Sequence, residues 1–196
     1  FQIPVASRAA RGRPMINILP LEEDERITAM LPVNAYDEDK FVFMATANGT
    51  VKKTPLMDFS RQRSSGLIAI ELEEDNTLIG AAITTGGSDV MLFGSGGKVI
   101  RFKESDVRAM GRTARGVRGI KLKTGQRVIS LIIPEEDGEL LIASENGYGK
   151  RSRLEDYSVI GRGGQGVIGM KLGSRNGEMV GAIQLRPGDE VILISD

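Results

Sequence analysis

The sequence predicts an all-β fold, a propeller-like disc of four-stranded blades with strand exchange between neighbours. Three observations predict it. The chain repeats itself: Gly66, Gly116 and Gly166 stand 50 residues apart, and each opens a short apolar-rich run. Within each repeat a glycine turn precedes an aspartate by nine residues, as Gly49 does Asp58, Gly97 does Asp106 and Gly147 does Asp156. A period near 50 residues marks a propeller or solenoid, whose units bury their apolar faces only against one another. Each unit also reads as four short strands between close-set turns, with no helical periodicity.

The elements follow in order. A basic link (Arg8, Arg11, Arg13) runs into an alternating stretch, Met15 to Leu19, expected as a strand. Glu22 to Glu25 is an acidic turn, Ile27 to Leu31 a second strand, and Asn34 to Lys40 a polar hairpin loop. Phe41 to Thr46 reads as a heavily buried strand, and Asn48-Gly49 is a strong tight-turn signal before the basic strand Val51 to Thr54. The next unit repeats the order with strands at Leu67 to Leu72, Leu78 to Thr84 and Val90 to Phe93, then a turn at Gly96-Gly97 into the next basic strand. The third unit gives Val117 to Leu122, Arg127 to Ile133 and Leu140 to Ser144. The fourth gives Val167 to Leu172, Met179 to Gln184 and Val191 to Ser195. The link from Asp106 to Gly116 is long for a blade, long enough to carry the chain to a neighbouring blade. This predicts strand exchange. There is no Trp and no His, so the signatures of the common propeller repeats are missing. Phe1 falls in mid-repeat, so the chain is expected to be a piece of a longer polypeptide. The expected organisation is one array over 1–196, with the tail of one blade at 1–31 and further blades through 32–196, the last incomplete.

Composition narrows the chemistry. Without Cys or His there is no disulfide framework, no usual zinc site and no histidine base. No apolar run approaches the ~20 residues of a membrane helix. The net charge of zero hides a segregation. Segments 1–13, 50–66, 98–118 and 148–166 hold 18 of the 26 Lys and Arg but only 5 of the 26 Asp and Glu. One such run alone would be an ordinary solvated face. Recurring at one phase of each repeat, the runs predict a basic stripe, the electrostatic footprint of a polyanion site.

Two glycine motifs carry no chemistry. Gly161-Arg162-Gly163-Gly164-Gln165-Gly166 has dinucleotide-loop spacing, but a strand pattern follows it where a helix is required. Around Gly94 to Lys98, Leu92 and Val99 occupy positions where a phosphate loop needs Gly and Ser or Thr. Asp58, Asp106 and Asp156 read as caps on turn N–H groups, because no second carboxylate recurs beside them. Phe59, Phe102, Tyr148 and Tyr157 read as core or corner packing rather than base-stacking platforms. Tyr36, Tyr148 and Tyr157 lack a repeated constellation, so no catalysis is expected within the chain.

The cations carry the functional reading. Lys53, Arg101 and Arg151 hold one slot of the repeat, where cations on an outer strand would meet successive phosphates of a duplex. Arg112 and Arg115 recur less strictly as Arg8 and Arg11 and as Arg162. With Arg13, Lys52, Arg61, Arg63, Lys103, Arg108, Arg118, Lys150 and Arg153 they make the expected DNA-binding set. Phosphate contacts of this kind position DNA without reading its sequence.

At the basic strands the chain resembles a known family. Ala47 to Thr54, Val99 to Gly111 and Asn146 to Arg151 closely resemble the C-terminal domain of bacterial DNA gyrase A, and the likeness covers essentially all 196 residues. The resemblance implies a β-pinwheel, a six-bladed propeller-like disc that wraps duplex DNA around a basic rim. It thereby supports the ATP-dependent introduction of negative supercoils. It further implies that ATP, Mg2+ and the cleaving tyrosine belong elsewhere in the enzyme, with no cofactor in this chain. The implied partners are double-stranded DNA, the rest of gyrase A, and gyrase B in an A2B2 heterotetramer; the implied place is the cytoplasm, at the nucleoid, with no membrane. The family heptapeptide Gln-Arg-Arg-Gly-Gly-Lys-Gly is absent, and Arg162 to Gly166 echoes it with Gln165 in the Lys position. Two other readings stay open: the related domain of topoisomerase IV, and a protein-interaction scaffold using an acidic face at Glu22 to Glu25, Glu73 to Asp75 and Glu135 to Asp137.

Overall fold

The computed structural model describes residues 5–12, 14, 21 and 25–194. Each repeat supplies a hairpin closed by a glycine turn: β1 (Phe41–Thr46) with β2 (Thr50–Pro55), β4 (Asp89–Gly94) with β5 (Lys98–Lys103), and β8 (Glu139–Ser144) with β9 (Gly149–Arg153). A single 3-10 turn follows each hairpin, at Leu56–Phe59, Glu104–Asp106 and Leu154–Asp156. Asp156 caps its turn as expected, its carboxylate accepting from the Arg153 N–H at 3.2 Å.

The chain then divides its strands between two sheets. β6 (Val117–Arg118) follows the second hairpin but pairs with β2 of the first, with Val51 opposite Val117. The chain returns to lay β7 (Val128–Ile132) on β4. One repeat later, β10 (Val167–Ile168) pairs with β5, Val99 opposite Val167, and β11 (Met179–Leu185) pairs with β8. β3 (Leu78–Thr84) occupies the matching place on β1. The sheets therefore run β3-β1-β2-β6, β10-β5-β4-β7 and β11-β8-β9. The predicted all-β fold with exchanged strands is present. Among the described residues, two sheets have the predicted four strands and the third has three.

The repeated glycine is a steric requirement of this exchange. Gly116 and Gly166 enter β6 and β10 at φ +106° and +70°, and a Cβ there would lie 2.5 Å from the Val51 carbonyl oxygen and 2.2 Å from that of Val99. No side chain fits between the exchanged strand and the sheet it joins.

Several expected strands are corrected. Ile27 to Leu31, Leu67 to Leu72 and Val191 to Ile194 have no regular structure, and Val117 to Leu122 and Val167 to Leu172 shorten to two-residue strands. An exchanged strand is held only by the outer strand of the preceding sheet, so it lasts only as long as that pairing. Among the described residues, Leu67 to Leu72 has no such outer strand beside it, and Val191 to Ile194 has no hairpin partner. Their apolar content alone does not supply the missing ladder. Met15 to Leu19, Glu22 to Asp24 and Ser195 lie outside the described residues.

The core lies between sheets. β4 is buried on both faces: Val90 and Leu92 join one cluster with Phe43, Ile100, Phe102 and Ile120, while Met91 and Phe93 join a second with Val99, Leu140, Ile142 and Tyr157. Strand alternation sends each set to its own side. β3, β7 and β11 lie next to one another and form the inner layer, which places the exchanged strands β6 and β10 on the outer rim.

Candidate nucleic-acid interface

The rim is built from the exchange links. The link between the second 3-10 turn and β6 starts beside β2, where the Met110 N–H donates to the Lys53 carbonyl at 2.8 Å, and returns at the Thr50–Arg118 pair. Between these anchors, Gly111 to Arg115 loops out along the β2 edge. The next link repeats the path on β5: Ile160 N–H donates to Arg101 O at 2.8 Å, and Gly161 to Gln165 loops out before β10. The loops carry Arg112 and Arg115, and Arg162, so exchange itself places the recurrent arginines on the outer edge.

The predicted cations separate into groups. Arg8, Arg11, Arg61, Arg63, Arg108, Arg118, Lys150 and Arg153 are exposed, and none has a carboxylate within 4.0 Å among the described residues. Arg112 and Arg162 clamp neighbouring links. Arg112 donates to Ile68 O at 3.3 Å; Arg162 donates to Arg118 O at 3.1 Å and to Asp106 O at 2.8 Å. Three exposed cations are paired: Arg115 with Glu71 at 2.7 Å, Lys103 with Asp89 at 2.6 Å, and Arg151 with Glu139 at 3.2 Å. Arg13 lies outside the described residues.

Lys52, Lys53 and Arg101 are corrected. They do not point at a ligand on the rim: the 3-10 turn of the next repeat covers Lys53 and Arg101, while Lys52, on the opposite face of β2 from Lys53, is covered by the links at Ala69 and Arg112. Lys53 is 7% exposed; its Nζ donates to Glu104 O at 3.3 Å and sits 5.0 Å from the Phe41 ring centroid. Arg101 donates across the next junction to Leu154 O at 3.0 Å and Tyr157 O at 3.2 Å, and pairs with Asp89 at 2.6 Å. The phase-locked slot is thus a clasp between sheets at its first two occurrences. Asp89 answers two cations: burial pushes its carboxyl up, but Lys103 and Arg101 outweigh this and hold its pKa below the ordinary value. Lys52 is wholly buried, its Nζ donating to Ala69 O at 2.6 Å and to Arg112 O. Burial first, then the Arg112 charge, lowers its pKa from 10.5 to about 8, against a partial pull from Asp58.

The aromatics divide too. Phe102 and Tyr157 are core residues, as expected. Burial raises the Tyr157 pKa, and its hydroxyl lies 2.8 Å from that of Ser152. Tyr148 is 46% exposed on its hairpin turn, contrary to the expected packing role. Sequence reasoning also passed over Lys98, Lys121 and Lys123, which line one small cavity with Gln126 and Gln165. The signal for Lys121 and Lys123 was the alternation from Ile120 to Lys123, which buries Ile120 and turns both lysines outward. The acidic clusters do not form one face. Glu73 to Asp75 lies beside the Asn48-Gly49 turn, whereas Glu135 to Asp137 joins the other ends of the strands, between β7 and β8. Glu73 accepts from Asn48, and Glu135 pairs with Arg186. No helix among the described residues is long and apolar enough to cross a membrane.

Comparison with known proteins matches this architecture. The family described as the DNA gyrase C-terminal domain, beta-propeller, matches residues 2–34, 40–85, 88–135 and 138–195. The chain is 56% identical over its whole length to the DNA gyrase A protein of Klebsiella oxytoca and 54% identical to that of Escherichia coli K12, spanning 22% of each. Among solved structures, it resembles a DNA gyrase A C-terminal domain with a TM-score of 0.79 and 28% identity, over 90% of this chain and 59% of the other. It resembles the C-terminal domain of a DNA topoisomerase IV with a TM-score of 0.82 and 29% identity, over 89% of this chain and 55% of the other.

Proposed function

The chain belongs to the DNA gyrase C-terminal domain family, and from that premise we propose that its rim binds duplex DNA without sequence preference, bends it and wraps it. In the parent enzyme this wrapping would support ATP-dependent negative supercoiling, with the rest of gyrase A and with gyrase B as partners, and with ATP and Mg2+ acting outside this chain. The place of action would be the cytoplasm, at the nucleoid. The carrying observation is the pair of exchange links that loop outward along β2 and β5, with Arg108, Arg112, Arg115, Arg118 and Arg162 on or beside them.

Arg108 and Arg118, with Arg61 and Arg63 on the preceding link, are exposed and free of carboxylate partners among the described residues, so phosphates would recruit them at no internal cost. Arg112 and Arg162 would hold the loops in shape while exposing part of their guanidinium groups. Such contacts hold phosphates and read no bases. Bending a 20–30 bp site by 40–90° costs on the order of 1–6 kcal/mol, so an array of contacts along a curved edge is needed to offset it.

The test is ligation of nicked plasmid with this chain across a salt series, then the topoisomer distribution. Wild type should shift the linking number, and the shift should fade as salt rises. Arg61, Arg63, Arg108 and Arg118 replaced together by Gln should abolish the shift and weaken binding equally for unrelated duplexes. An undiminished shift in that variant would overturn the rim assignment.

A further inference from the structure

We propose that Lys98, Lys121 and Lys123 form a pocket for a single phosphate group of the DNA backbone, an anchor fixed at one place on the rim. The inference rests on the DNA-binding reading and adds a site to it. These lysines line a half-open cavity of about 90 Å³ with Gly96, Leu122, Gln126 and Gln165, roughly the room of three waters and the scale of one small oxyanion. Lys98 opens β5, Lys121 and Lys123 follow β6, and Gln165 comes from the link before β10. Strand exchange thus brings two repeats together at this spot.

The polar side chains that line it are rich in donors. None of the three ammonium groups has a carboxylate within 4.0 Å among the described residues. The Gln126 side-chain oxygen is already occupied, accepting from the Lys123 N–H at 3.1 Å. Its amide NH2 remains available to donate. A cavity lined by three cations and a donor amide, with its acceptor turned away, fits an anion.

The preceding repeat shows that this is a local device. Counting from the repeated glycines, the positions of Lys98, Lys121, Lys123, Gln126 and Gln165 are held there by Thr50, Glu71, Glu73, Asn76 and Arg115. That slot carries a net charge of −1 with both acids engaged: Arg115 pairs with Glu71, and the Asn48 amide donates to Glu73 at 2.7 Å. In the second slot both acids become lysines, and the facing arginine becomes the neutral Gln165. The charge is inverted and left uncompensated. Its neighbours include Arg118 on β6 and Arg162 on the same link as Gln165, which places the pocket on the proposed DNA path and favours a backbone phosphate as occupant.

The experiment is duplex-DNA binding by fluorescence anisotropy across a salt series, for wild type and for Lys98→Gln, Lys121→Gln and Lys123→Gln combined. Losing one phosphate contact should lower the slope of log K against log salt by about 0.9, which at 0.1 M salt is roughly an eightfold loss of affinity. The lysine ammonium groups fasten no other part of the fold among the described residues, so circular dichroism of the variant should match wild type. If wild type does not bind duplex DNA, the DNA-binding reading itself fails. If wild type binds and the triple variant keeps slope and affinity, the pocket is refuted while the rim reading stands. A fall of about 2.7 in slope would mean three independent contacts and would also overturn the single-phosphate pocket.

Discussion

Replacing Lys53 by Met should destabilise the protein by about 3–5 kcal/mol, although the ion pair it breaks contributes little net stability. The Lys53 side chain is 8% exposed and the Glu104 side chain 0%, with Nζ 3.9 Å from Oε1. At an effective dielectric of 20, that separation gives a gross attraction of about 4 kcal/mol. Burying the two charges costs several kcal/mol per ion, which meets or exceeds that attraction, so the pair adds no net stability. The large effect appears when one partner goes. Glu104 would keep its hydrogen bonds from Thr84 at 2.6 Å and from the Ser88 N–H at 3.2 Å, but its charge would remain buried without a cation. The converse change, Glu104→Leu, installs the residue that the other repeats carry as Leu56 and Leu154. It should cost a similar amount by stranding Lys53. Together the two substitutions should return stability to within about 1 kcal/mol of wild type, or above it. Urea unfolding followed by far-ultraviolet circular dichroism, run as a double-mutant cycle, measures this. The reasoning fails if Lys53→Met costs less than about 1 kcal/mol, or if the double variant loses the sum of the two single losses.

Two further predictions concern the links. The Lys52 pKa is lower in the folded protein, about 8 against 10.5, so between these values the unfolded chain binds more protons and stability should rise with pH. Unfolding midpoints measured from about pH 7.5 to 10.5 should show that rise in wild type, and Lys52→Met should remove this component; an identical profile in both would exclude Lys52 as its source. Gly166→Ala should cost at least about 1–3 kcal/mol from the left-handed backbone alone and push β10 off β5. Amide exchange should then accelerate at the β5–β10 pairing while the β4–β7 pairing stays protected, and unchanged exchange at Val99 and Val167 would show that the junction tolerates a Cβ.

Much of the fold was legible because its cues are local. The hairpins followed from glycine turns between apolar and basic runs, each needing only a few neighbouring residues. The exchange followed from the length of the Asp106 to Gly116 link. Strand status at Leu67 to Leu72 was misread because β6 and β10 exist only through pairing with a preceding outer strand, a fact outside the segment's own composition.

The candidate site was less legible, for a geometric reason. In a strand covered on one face, alternation separates buried from exposed positions. β2 is enclosed by β1, β6 and the second sheet, and consecutive Val51, Lys52, Lys53 and Thr54 are all buried. Charge therefore did not predict exposure there, and Lys52, Lys53 and Arg101 became fasteners within the fold. The lysine pocket draws on residues from 96 to 165, which only the exchange brings side by side. By itself, the sequence determined the repeat, its turns and the phase at which positive charge accumulates, because these depend on spacing and backbone preference. The tertiary structure alone decided which cations bind carbonyls, which meet carboxylates and which remain free on the rim, because that depends on what the next sheet covers.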